Sequence, residues 1–109
     1  MTIAHKNLAS GRWAEMTLAE QMANVGSEVE RTISWRNKGN GEYSRLAFER
    51  ALELLDLTIK SQQNIRLKEL VRLRELLADH FAFDNEYSST DESWQKYFYA
   101  FNYLARANA

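Results

Sequence analysis

No proline occurs anywhere in this chain of 109 residues, and glycine occurs only four times. Proline and glycine are the residues that break helices and build tight turns. A chain with so few of them is poorly supplied for a turn-rich β architecture and well supplied for long helices. Hydrophobic residues make up 45% and aromatics 12%, enough to bury a core, so wholesale disorder is excluded. Cysteine is absent, which removes disulfides, thiolate metal sites and cysteine nucleophiles. With 14 basic and 15 acidic residues, the chain gives no general electrostatic case for binding nucleic acid.

Helix boundaries are readable as caps and breaks. Thr17-Leu18-Ala19-Glu20 fits the capping box, in which two side chains satisfy orphan amides at a helix start. Leu18, Met22, Val25, Val29 and Ile33 then keep one face until Lys38-Gly39-Asn40-Gly41 ends the helix. A second helix is predicted over 42–60, with Phe48, Ala51, Leu52, Leu55 and Ile59 on its main face. After a polar break, in which Ser61 or Asn64 supplies a cap, a third runs over 65–83 and buries Leu70, Leu73, Leu77 and Phe81. A box at Ser89-Thr90-Asp91-Glu92 starts the last helix, with Trp94, Phe98, Phe101 and Ala105 facing inward. Four helices of similar length joined by short connections imply an all-α, up-down-up-down antiparallel four-helix bundle over 17–109. The segment 1–16 packs on its end, through Trp13 and Met16, or is partly disordered.

Residues outside these stripes carry the functional information. Advancing ~100° per residue puts Leu46 and Leu57 together on the far side of the second helix. Tyr99 and Tyr103 point away from Phe98 and Phe101, and Trp35 lies with Gln21, Asn24 and Glu28 on the polar side of the first helix. Ala19, Ala23 and Gly26 form a small-residue strip that another helix can approach closely. Surplus apolar residues on several faces point to self-association or a protein partner, with Trp35, Leu46, Leu57, Tyr99 and Tyr103 as contacts.

Arg74 falls within the apolar arc of its helix, between Leu67, Leu70, Val71, Leu77 and Phe81. A guanidinium there needs a partner or a route to water. Glu49, Glu53 and Asp56, repeating along the preceding helix, are the expected partners in a buried ion pair or a ligand pocket. The pair Glu53-x-x-Asp56 resembles half of the magnesium-binding pattern of all-helical nucleoside triphosphate pyrophosphatases of the MazG type. The other half of that pattern is Glu-x-x-Glu, where this chain has Glu28-x-x-Arg31. No cofactor or metal is therefore expected.

Arg74 and His80 form an Arg-x5-His arrangement that resembles the Arg-x(4–6)-His motif of HEPN domains, a helical superfamily that includes metal-independent ribonucleases. The resemblance implies a catalytic pair, Arg74 stabilising phosphate charge and His80 moving a proton. It would make the chain an RNA-processing protein of the ribonuclease or toxin–antitoxin type. The basic run Arg66, Lys68, Arg72 and Arg74, interrupted by Glu69 and Glu75, leaves RNA contact open. It is followed by Asp79, Asp84, Glu86, Asp91 and Glu92, a polarity suited to head-to-tail pairing or an oppositely charged partner. The leading expectation is a small, non-catalytic interaction or accessory protein that forms homo-oligomers. The longest apolar runs fall far short of the ~18 residues that span a bilayer. The start, MTIAHKNLASGRW, lacks the apolar core of a secretory signal, so the expected location is cytoplasmic.

Overall fold

Two helix starts in the computed structural model of this chain, which describes residues 11–61 and 66–107, are closed by reciprocal side-chain caps. Thr17 Oγ1 accepts from the Glu20 amide at 3.1 Å, and Glu20 Oε1 accepts from the Thr17 amide at 2.8 Å. The helix they open is α2, Leu18–Asn37. It is preceded by a single turn, α1 (Trp13–Glu15), and followed by α3 (Gly41–Ser61), α4 (Leu67–Ala82) and α5 (Asp91–Ala107). Five helices and no strand thus make up the described residues, one short helix more than the sequence pattern implies. The cap expected at Asn64 lies outside the described residues. Before α5 the reciprocal cap sits one position later than expected. Thr90 Oγ1 accepts from the Ser93 amide and Ser93 Oγ from the Thr90 amide, each at 3.1 Å.

The helix α2 is central, packing most extensively on α3 and next on α5. Side-chain pairs fix each neighbour as antiparallel. On α3, Ser44 Oγ donates to the Thr32 carbonyl at 2.8 Å, while at the far end Gln21 Nε2 donates to Ser61 Oγ at 3.1 Å. On α5, Arg36 pairs with Asp91 and Gln95 Nε2 donates to Glu30 Oε1 at 3.1 Å. The helix α4 runs back along α3, with Phe81 and Phe48 ring centroids 5.5 Å apart and Arg74 beside Asp56. Met22, Val25, Leu55 and Leu77 lie at the fully buried centre.

Three features of packing depart from a simple stripe model. First, Gln21, Glu28 and Thr32 on the polar side of α2 are buried, because α3 packs over that side. Second, the buried face of α3 is Ser44, Ala47, Phe48, Ala51, Leu54, Leu55 and Thr58, so Leu54 and Thr58 displace Leu52 and Ile59 from its centre. The cause is α1. Trp13, 2% exposed, donates its indole N–H to Thr58 Oγ1 at 3.1 Å, and Thr58 in turn donates to the Leu54 carbonyl. Third, the strip containing Gly26 is filled by α5 of the same chain. A Cβ at Gly26 would lie 2.7 Å from Phe98 Cβ, so only glycine admits this approach.

Candidate functional site

Arg74 and its expected partners are not gathered at one site. Arg74 Nε donates to Asp56 Oδ1 at 2.7 Å, joining α4 to α3, but both side chains are about half exposed. The pair is therefore at the surface and not in the core, contrary to the sequence expectation. Leu67 and Val71, which made the apolar arc look wide enough to enclose Arg74, are themselves exposed. Arg74 marks the edge of the buried face. Glu49 pairs with Arg45 one turn earlier, at 2.7 Å, while Glu53 is half-buried. Among the described residues no three histidine or acidic side chains converge in a way that could hold a metal.

His80 turns to the opposite neighbour. Its Nε2 lies 2.9 Å from Asp91 Oδ1 at the start of α5, and an ionised carboxylate only accepts, so the ring N–H donates. Asp91 also pairs with Arg36 from the end of α2. Three helix ends are thereby clasped at one point. The His80 ring packs edge-on to Phe81 at 4.6 Å, and its Nδ1 is buried without a hydrogen-bond partner among the described residues. Burial pushes the Asp91 carboxyl up, but the His80 hydrogen bond and the adjacent Arg36 charge outweigh it and hold the carboxyl below its usual range. The cleft beside Arg74 is lined by Ala78, Asp79, Phe83 and Asp84 among others, and His80 is not part of its wall. Arg74 and His80 thus serve different helix contacts, as their ~120° separation on a regular helix requires.

The apolar residues predicted to be surplus fall into two groups. Trp35 is half-buried, edge-on to Tyr43 at 4.9 Å with the Lys38 ammonium 5.1 Å from its ring. Leu57 packs partly against the core and Leu46 is half-buried. Tyr99 and Tyr103 are different. They are 70% and 65% exposed, and one helical turn apart they make a continuous aromatic ridge on α5. Leu104 and Tyr97 add exposed apolar surface on the other flank of this helix. Beside the ridge a shallow groove runs between α2 and α5, with Gly26, Ser27, Glu30, Phe98, Tyr99 and Asn102 in its walls.

Pattern reasoning missed two sites. Glu28 is a buried carboxylate clasped by Arg31 on its own helix and by Arg50 Nε of α3 at 3.3 Å. The Glu28-x-x-Arg31 spacing showed the first contact; the cross-helix partner has no signature in the sequence. Phe83 is 75% exposed just beyond α4, where the sequence reading placed the end of the helix. Comparison with protein families, with curated proteins and with solved structures gives no match.

Proposed function

We propose that this chain is a small interaction or accessory protein, non-catalytic and self-associating, that works through the outer face of α5. The scaffold in this reading is an up-down-up-down four-helix bundle, α2 to α5, with α1 as a plug at one end. The observation that carries the proposal is the Tyr99–Tyr103 ridge. Two large aromatic side chains a turn apart on a rigid helix, both mostly in water, contribute little to the fold. Tyrosine suits a contact surface because it offers a large, stiff apolar body with a polar tip. Arg74 and His80, by contrast, are engaged in joining helices: Arg74 pairs with Asp56, and His80 with Asp91, which also pairs with Arg36. No described helix is long and apolar enough to cross a membrane, and the reading places the protein in the cytoplasm.

The test is native mass by light scattering over a range of protein concentrations. The unaltered protein should exceed the 12.7 kDa of one chain. Combining Tyr99→Ala with Tyr103→Ala should weaken association at least tenfold. Unchanged association in the double variant would remove α5 as the contact surface.

A further inference from the structure

The outer face of α4 carries two features that complement each other. Near its start lies a shallow cleft formed by the exposed Leu67 and Val71, bordered by Lys68 and Arg72. Just beyond its end Phe83 projects into water, in a cleft lined by Asp79, Asp84 and Glu86 and also by Arg74. Glu75 lines both clefts, so the two adjoin on one side of the helix. One end therefore offers an apolar hollow whose rim has two cations, Lys68 and Arg72, to one anion, Glu75. Glu75 pairs with Arg72 at 3.7 Å, and Arg72 also lies 4.9 Å from the Tyr87 ring. The other end offers an aromatic knob whose rim is mainly anionic.

We propose that a second copy of this chain docks here, the two α4 helices antiparallel about a two-fold axis. Phe83 of each copy then fills the Leu67–Val71 cleft of the other. In an isologous contact, whatever one end presents must match what the other end presents. A hollow with an excess of cations and a knob with an excess of anions, adjoining along one helix, meet that requirement. An unrelated acidic partner would match only the first half of the face, and a basic partner only the second. The opposed charges set register and orientation, and the phenyl ring supplies the buried anchor. A formal net charge of −1 leaves little overall repulsion between copies. This contact is separate from the α5 ridge, and either can fail without the other.

The experiment uses the full chain carrying Tyr99→Ala and Tyr103→Ala, so that any remaining association does not depend on the ridge. Light scattering should still find a two-copy mass at tens of micromolar. Adding Phe83→Ala, or Lys68→Glu with Arg72→Glu, should reduce it to one copy. Asp84→Lys with Glu86→Lys should do the same. Mixing the two charge-reversed proteins should restore the two-copy mass, because each then meets its complement. Circular dichroism checks that every variant keeps its helices. A one-copy mass in the tyrosine background at every concentration overturns this inference while leaving the α5 reading intact. So does a two-copy mass that survives Phe83→Ala, or a mass that keeps growing with concentration, which would indicate an open head-to-tail chain.

Discussion

The helices α2 and α5 pack against each other, yet they distribute residue types in opposite ways. On α2 the polar side chains Gln21, Glu28 and Thr32 are buried and satisfied. On α5 aromatic side chains are left in water, with only Trp94 and Phe98 fully enclosed. Position explains the contrast. α2 is flanked by α3 on one side and α5 on another, so polar residues beside its apolar stripe are enclosed too. α5 lies at the outside and presents one stripe inward. Burial on a helix is set by how many neighbours it has, and residue type then decides what must be done about it. Buried polar groups cost stability when left unpaired, whereas exposed aromatic ones are available to a partner.

The largest effect predicted from this contrast is on the enclosed side. Trp13→Ala should cost about 3–5 kcal/mol, the usual range for truncating a buried tryptophan. It also removes the donor to Thr58 Oγ1 and loosens the turn whose Trp13 carbonyl accepts from Gln21 Nε2 at 2.8 Å. Denaturant unfolding measures it, and a loss below ~1 kcal/mol would mean that α1 is not part of the packed unit.

The contact between the two helices should be next. Gly26→Ala adds a Cβ 2.7 Å from Phe98 Cβ, on the rigid root of that side chain. Overpacking of about 1–3 kcal/mol should exceed the ~1 kcal/mol gained in helix propensity, giving net destabilisation. A thermal scan showing a stabilised variant would contradict so close an approach.

A smaller effect concerns the charged end of both helices, where Asp91 joins Arg36 and His80. The Asp91 carboxyl is held low in the folded state, so its ionised form favours folding above the ordinary aspartate range, about pH 3.9. That contribution is lost as pH falls from there through the lowered folded value. Asp91→Asn should flatten the acid limb of a stability-versus-pH curve and lower its plateau. An acid limb of unchanged slope would assign acid sensitivity to other carboxylates.

The smallest stability effect is expected on the exposed side. Tyr99→Ala with Tyr103→Ala should change unfolding free energy by no more than about 0.5 kcal/mol for each substitution, as for surface positions without structural partners.

These contrasts mark how far the sequence alone reaches. The Thr17–Glu20 cap and the break after Asn37 are local chemistry, and both are in the structure. The inward positions of Met22, Val25, Leu70, Leu77, Trp94 and Phe98 follow from spacing and are likewise found. Spacing also separates Tyr99 and Tyr103 from the core. Periodicity orders residues around a helix but does not show how wide the enclosed arc is. That is why spacing alone puts Gln21 and Glu28 at the surface and Arg74 within the apolar arc. The buried face of α3 turns toward Leu54 and Thr58 because Trp13, some 45 residues away in the chain, donates its indole proton there. Long-range pairs such as Glu28 with Arg50, or His80 with Asp91, have no local signature. The pairing of Arg74 with Asp56 is legible, since Asp56 is one of the acidic residues repeating along the preceding helix.

The claim that α5 is left over for partners is tested most directly by light scattering run alongside thermal unfolding. Wild type and the Tyr99→Ala, Tyr103→Ala double variant are compared across a concentration series. The account predicts a lower average mass for the variant, with its unfolding unchanged when both proteins are dilute enough to be dissociated. Equal masses would contradict it, as would a variant that loses mass only because its helices have begun to unfold.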